Sequence, residues 1–236
     1  MKNVGIVIAL EAEARALTPR KLRLGVVEEL DGGVRVHICG MGLAAASAAA
    51  QALVESGVEA LAMYGVAGAL DPELVSGALL CPREVLDQNG ERYATDAGWR
   101  RRLGAGLGNL VLRDEALLTV SAPLLTPQSK ADARRDYKAA AVDMESAAVA
   151  DVARALGLPF LALRAIADSA QDSIPLPLAG AIDSWGRAQA LNMAAALLLH
   201  PTLIPRLPHL AATMNRASAA LRRATQAAGM GLAFDH

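Results

Sequence analysis

Hydrophobic positions fall into short unbroken runs separated by longer mixed stretches. Residues 4–10 (VGIVIAL) form a continuous apolar run rich in β-branched side chains, as in a strand buried on both faces. Runs at 34–39, 60–64, 78–81, 110–112, 116–121 and 160–166 predict further strands. Helices are predicted from Glu11, from the alanine-rich stretch ending near Glu55, and over 99–107, 126–138 and 179–199. A last helix of about twenty residues follows the proline-punctuated linker 201–208. The helix over 126–138 reads as a charged surface helix, with Pro127 in its first turn. Residues 87–96 and 169–178 read as loops. Alternating strands and helices predict one α/β domain: a central mixed, mostly parallel twisted sheet flanked by helices. The main body spans 1–200, and 201–236 form a helical extension of the same domain.

One stretch carries chemistry as well as pattern. In residues 139–156 (AAAVDMESAAVADVARAL) an apolar approach ends in Asp143, Met144 and Glu145, and a small-residue helix begins. Val149, Val152 and Leu156 recur on one helical face, and Asp143 is placed to cap the helix. Helix capping accounts for the acids taken singly. However, Asp168 also ends a strand run, at 160–166, and Glu11 and Glu13 follow the run at 4–10. Glycines end two more: Gly40 and Gly42, then Gly65 and Gly68. Ligands of open α/β sheets sit beyond the carboxyl ends of strands, where glycine admits close approach. Neither glycine pair matches a Walker or dinucleotide fingerprint.

Composition narrows the classes. With 23 basic and 24 acidic side chains the formal charge is −1, and aromatics are 3% of the chain, so no nucleic-acid partner is expected. Hydrophobic residues, at 53%, suffice for a substantial core. Cys39 and Cys81 lie in apolar segments and read as buried thiols, with no disulfide or metal site. No apolar run reaches ~18 residues and no signal-peptide pattern opens the chain, so a soluble cytoplasmic protein is expected.

Three acids at strand ends beside glycines suit N-glycosidic cleavage. One carboxylate stabilises positive charge on the sugar, an acid protonates the leaving base, and a base activates water. Glu145, at a helix start, is expected to be the anion, and Asp168, after an apolar strand, the protonated acid.

AVDMES followed by LRAIADSA resembles the purine nucleoside phosphorylase superfamily, on its methylthioadenosine/adenosylhomocysteine nucleosidase side. GIVIALEAEA and YGVAGALDPELVSGALL fit the same family in the same order, so the likeness spans roughly residues 4–170. The DMES form and the tail HPTLIPRLPHLAATMNRASAAL are most similar to hopanoid-associated phosphorylases, implicated in releasing adenine from adenosylhopane. The resemblance implies cleavage of an adenine nucleoside by phosphorolysis or hydrolysis, through an oxocarbenium-like transition state. It implies Asp168 as the acid at purine N7, Glu13 as the base on water, and Glu145 on the ribose hydroxyls with Met144 packed on the sugar. Gly65, Val66, Ala67 and Gly68 would line the site, and Leu124 and Leu125 fall where relatives hold the base. No cofactor or metal is implied; inorganic phosphate is the candidate co-substrate. The implied partner is a lipid-linked purine nucleoside, and the implied assembly a dimer or larger homo-oligomer.

Three features depart from the family pattern. Val66 stands where a serine or threonine is usual, Leu124 and Leu125 replace a stacking phenylalanine, and the N-terminal phosphate loop with its arginine is absent. Together they lean toward hydrolysis and a more aliphatic substrate. A general methylthioadenosine/adenosylhomocysteine nucleosidase is the second enzyme reading. A non-catalytic nucleoside- or lipid-binding module is the alternative of another class. On the last helix, Leu210, Met214, Ala217 and Leu221 share a face, while Arg216, Arg222 and Arg223 lie elsewhere. That face is expected to pack on its own domain or a second subunit. The alternative is peripheral contact with the inner face of the membrane.

Overall fold

The computed structural model describes residues 3–234. Its elements are β1 (Val4–Ile8), α1 (Glu11–Leu17), β2 (Val27–Leu30), β3 (Val34–Ile38), α2 (Leu43–Glu55), β4 (Ala60–Ala69), β5 (Leu79–Leu80), β6 (Glu84–Leu86), β7 (Arg92–Ala94) and α3 (Ala97–Gly106). They continue with β8 (Leu112–Arg113), β9 (Leu117–Thr119), α4 (Pro127–Tyr137), β10 (Ala141–Asp143), α5 (Ser146–Ala155), β11 (Phe160–Asp168), α6 (Leu176–Ala179), α7 (Ala190–Leu199) and α8 (Leu207–Ala228). A 3-10 turn, Pro201–Arg206, joins α7 to α8.

The long strand β4 organises the sheet. Along one edge it pairs in parallel with β11, from Leu61 opposite Phe160 to Gly68 opposite Asp168. Along the other it pairs with β1 as far as Tyr64 opposite Ile8. Beyond the end of β1, β10 takes that edge antiparallel, with Val142 opposite Gly68. The end of β4 is thus flanked by β10 and β11, which carry Asp143 and Asp168. The sheet extends through β9, β6 and β7 on one side and β3 and β2 on the other, giving a single α/β domain with a mixed sheet.

Side-chain alternation along the strands builds two large cores, beside a smaller cluster around Leu86, Leu118 and Val142. Ile6, Ile8, Ala62, Tyr64 and Leu163 face a layer that includes Ala217, Leu221 and Ala224 of α8. Val7, Leu61, Met63, Ala162 and Ile166 face one that includes Ala46 and Leu53 of α2 and Val149 and Val152 of α5.

Several sequence expectations change. Residues 65–68 are not a loop: β4 runs through them, because glycine here serves close packing rather than a turn. A Cβ at Gly65 would lie 2.6 Å from Glu13 Cδ and 2.7 Å from Arg164 Nη1. Most of the polar stretch 87–96 belongs to a hairpin whose tip is fixed by Asp87 Oδ1, which accepts from the backbone N–H groups of Asn89 and Glu91, each at 2.9 Å. Edge strand β2 (VEEL) lacks the apolar run that marks a central strand. The helix expected over 179–199 is α7 alone. The preceding residues turn around Asp183, whose Oδ1 accepts from Trp185 and Arg187 N–H, and Gly186 holds a φ of +78°. Helix α4 has the expected extent, but Lys130 on it is buried rather than exposed.

Helix α8 packs against β11 and α1, with Ala217 and Leu221 fully buried. The Ala217 and Leu221 part of its apolar face packs within its own domain, the first of the packings expected for this helix. Among the described residues no helix is long and apolar enough to cross a membrane.

Candidate active site

A cavity of about 230 Å³ opens where β4, β10 and β11 meet, and Met144, Glu145, Asp168, Leu124, Met214 and Val66 are among its lining residues. Ala67 and Gly68 also line it; Gly65, Leu125 and Glu13 do not. Leu125 is half-buried, and its carbonyl accepts the Ile174 N–H at 2.9 Å. Gly65 provides the space beneath the floor. Gly68 admits Asp168, since a Cβ there would lie 3.1 Å from Asp168 Oδ2.

Glu145 occupies the cap position of α5 without capping it. Asp143 performs that task from two residues earlier: its Oδ2 accepts the Ser146 N–H at 3.3 Å and also the Ser146 hydroxyl. Asp143 Oδ1 accepts from the Thr119 hydroxyl at 2.7 Å. The capping role expected for Asp143 is therefore carried by its side chain, which frees Glu145 to turn toward the cavity. Glu145 Oε1 accepts the Gly42 N–H at 2.9 Å. Gly42, with a φ of +101°, turns the chain between β3 and α2 there.

Beneath the floor lies Arg164, 0% exposed. Its Nε donates to Asp143 Oδ2 at 3.0 Å, and Nη2 donates to the same oxygen and, at 3.4 Å, to Glu145 Oε2. Nη1 is buried and makes no hydrogen bond among the described residues. Beside it sits Glu13, whose Oε1 accepts the Val66 N–H at 2.7 Å and whose Oε2 accepts the Leu10 N–H at 2.9 Å. Burial raises the Glu13 pKa, against the Arg164 charge and those backbone bonds. Burial and the neighbouring Asp143 charge push Glu145 up to about 7, against Arg164 and the Gly42 N–H. The helix start does not hold Glu145 as a firm anion, contrary to expectation; desolvation outweighs it.

Asp168 has a partner that the sequence did not disclose. Lys130 of α4 is 1% exposed, and its Nζ donates to Asp168 Oδ2, to the Ser169 carbonyl at 2.7 Å and to the Asp172 carbonyl at 3.2 Å. Burial raises the Asp168 pKa as expected, while the Lys130 charge and hydrogen bond draw it back. Asp168 is therefore an acid whose proton affinity is set by two opposed influences. Arg164 too was missed, although a lone arginine within FLALRAIAD is an available signal: a charge centred in a buried strand needs acidic partners.

Larger concavities lie elsewhere on the surface, two of them of about 690 and 680 Å³. The acids of the first are already matched to arginines, Asp71 to Arg134 at 2.8 Å and Glu115 to Arg113. At the smaller cavity, carboxyls from different strand ends converge with raised proton affinities.

Residues 4–200 match the family described as the phosphorylase superfamily. A search of curated proteins found no match. Among solved structures, the chain is similar to the futalosine hydrolase of Helicobacter pylori, with a TM-score of 0.67 and 17% identity over 95% of this chain and 97% of that one. It is also similar to the 5′-methylthioadenosine/S-adenosylhomocysteine nucleosidase of Neisseria meningitidis in complex with methylthio-immucillin-A, with a TM-score of 0.70 and 16% identity over 98% of each chain. The Helicobacter pylori nucleosidase with butyl-thio-DADMe-Immucillin-A gives a TM-score of 0.66 and 17% identity over 96% of this chain and 98% of that one. At such identities these likenesses establish the fold.

Proposed function

The chain belongs to the phosphorylase superfamily, and from that membership we propose that it hydrolyses the N-glycosidic bond of an adenine nucleoside bearing a hydrophobic 5′ substituent, adenosylhopane being the substrate. The observation that carries this reading is the convergence of Glu145 and Asp168 on one cavity, with Glu13 and the unpartnered Arg164 Nη1 beneath its floor.

Glu145 in its ionised form accepts hydrogen bonds from the ribose hydroxyls and, with Met144 against the ring, stabilises charge developing on the sugar. Protonated Asp168 donates to the purine at N7. As the glycosidic C–N bond breaks, its electron pair leaves with the base and the Asp168 proton neutralises it. A water in the cavity adds its oxygen to the anomeric carbon and gives up a proton, for which Glu13, below the floor at Val66, is the proposed acceptor. Lys130 then faces an ionised Asp168, an arrangement that favours proton release in that step.

Hydrolysis is favoured over phosphorolysis by the lining. Among the described residues, Lys130 is the one cation lining the cavity, and Asp168 already engages it. Val66 offers no side-chain donor. A hydrophobic substituent is favoured by Leu124, Ile174 and Met214 along the wall. Similarity to 5′-methylthioadenosine/S-adenosylhomocysteine nucleosidases supports a second reading, in which those soluble nucleosides are the substrates. A binding module without activity would have little use for buried acids with raised pKa values.

Chromatography of adenine and the sugar product, with and without inorganic phosphate, tests the proposal. Faster release from a hydrophobic 5′-substituted adenosine than from methylthioadenosine or adenosylhomocysteine, with a free ribosyl product, is expected. A ribosyl 1-phosphate product would assign phosphorolysis, and no base from any nucleoside would overturn the activity.

A further inference from the structure

The turn that follows β11 is closed by one side chain. The Asp172 N–H donates to the Ser169 carbonyl at 3.1 Å, and Asp172 Oδ2 accepts the Ser169 N–H at 2.8 Å. Main chain and carboxylate thus fasten the same turn in both directions. The other carboxylate oxygen, Oδ1, pairs with His209 Nε2 of α8 at 3.1 Å. An ionised carboxylate only accepts, so that ring nitrogen carries its hydrogen. Burial would raise the Asp172 pKa, but the hydrogen bonds from Ser169 and His209 outweigh it and hold the carboxyl below its ordinary value. Asp172 is therefore an anion at neutral pH, and the reaction proposed above gives it no step.

What the turn holds accounts for that anion. Lys130 Nζ has three hydrogens to donate, and its three acceptors are Asp168 Oδ2 and the carbonyls of Ser169 and Asp172. Two of the three belong to the turn that Asp172 closes. Loosening the turn would leave Asp168 as the lysine's remaining acceptor and favour its ionised form, which cannot protonate a departing base. Charge acts in the same sense. Burial is the chief cause of the raised Asp168 pKa, Asp172 adds to it, and Lys130 opposes both. The turn also reaches the cavity wall: Ile174 lines it with its N–H on the Leu125 carbonyl at 2.9 Å, and Met214 lines it from α8, the helix that His209 ties to Asp172.

We propose that Asp172 is a positioning residue for the acid step: its carboxylate locks the 169–172 turn around the Lys130 ammonium, so that Asp168 keeps its proton until the base departs. The kinetic consequence rests on the activity proposed above; the hold on the Asp168 proton does not. The charged groups bearing on that proton are Lys130 from α4, Asp172 in the turn with His209 of α8 behind it, and Glu145 of the same cavity.

Neutral variants that keep the turn test the proposal. Asp172→Asn and Asp172→Ser each retain an oxygen to accept the Ser169 N–H and remove the charge. In both, the alkaline limb of kcat/KM for adenine release from a hydrophobic 5′-substituted adenosine should move to lower pH by about half a unit or more. Carbon-13 NMR of labelled aspartate carboxyls, with the Asp168 signal assigned by its loss in Asp168→Asn, should show Asp168 titrating lower by a similar amount. Asp172→Glu keeps the charge and should shift the titration less than Asp172→Asn. Circular dichroism checks that each variant is folded. A merely structural role would lower Tm or kcat and leave the limb and the titration in place, which would overturn the proposal. A shift to higher pH in the neutral variants, or an equal shift in Asp172→Glu, would overturn it as well. A wild type that releases no base would count against the activity and leave the carboxyl titration to decide the role of Asp172.

Discussion

Lys130 and Asp168 meet at the cavity, a lysine from a helix and an aspartate from a strand end brought together across 38 positions of sequence. The Lys130 side chain is buried, and its amine is also held by the Ser169 carbonyl at 2.7 Å. The pair fixes where the Asp168 carboxyl sits and sets how tightly it holds a proton. Lys130→Met removes the chief influence that opposes burial, so the Asp168 pKa rises further. Because Asp168 must be protonated to act, the alkaline limb of kcat/KM should move to higher pH. A limb that stays put or moves to lower pH contradicts the coupling.

Asp168→Asn keeps the shape but supplies no acid. Turnover should fall by about 10²–10⁴-fold, while calorimetry still detects nucleoside binding. The variant also leaves Lys130 without its anion, so some loss of stability is expected alongside. A near-normal rate would remove Asp168 from the chemistry.

Glu145 should show a conflict between stability and binding. Its folded pKa, pushed up to about 7, lies above the ordinary carboxylate value, so its contribution to folding is full below the unfolded pKa and is lost as pH rises through 7. Glu145→Gln should therefore raise Tm relative to wild type at about pH 8 and give little difference at about pH 4. Its nucleoside affinity should fall about tenfold or more. In the wild type, affinity should weaken as pH drops below 7, when the carboxylate becomes protonated. Equal Tm values at alkaline pH would show that desolvation of this group is not the dominant influence.

The two glycines of β4 should separate in effect. At Gly65 a methyl would collide with the Glu13 carboxyl and Arg164, so Gly65→Ala should cost about 1–3 kcal/mol in urea denaturation. At Gly68 the nearest atoms are the Asp168 oxygens, at 3.1 and 3.3 Å, and a small shift of that side chain relieves the contact. Gly68→Ala should therefore lower kcat with much less effect on stability.

Arg164→Met should be among the most damaging substitutions in the chain. It leaves Asp143, Glu145 and Glu13 without their shared cation, and loss of one partner of a buried ion pair costs about 3–5 kcal/mol. Chemical denaturation at neutral pH measures the loss. Lowering the pH should recover part of it, since protonation removes the exposed conflict among the acids.

Much of this protein was legible before any coordinates. The runs at 4–10 and 160–166 are buried strands because an unbroken β-branched or apolar run fits a strand covered on both faces. Asp143, Glu145 and Asp168 stand out because acids directly after such runs fall at strand ends, where ligands of α/β sheets gather. Tertiary structure decided what those acids are. Periodicity marks which faces are apolar, but not which side chain of a polar helix turns inward, so Lys130 reads as a surface residue until α4 is laid beside β11. Nor does it show that β4 passes from β1 to β10 midway, which is how Val142, next to Asp143, and Asp168 come to flank Gly68. It likewise assigns leucines to a core, whereas Leu191, Leu198 and Leu199 of α7 are exposed. Local pattern reports the preferences of neighbours along the chain. Proton affinities, ion pairs and exposed faces depend on neighbours in space, through desolvation and charge that only the folded arrangement supplies.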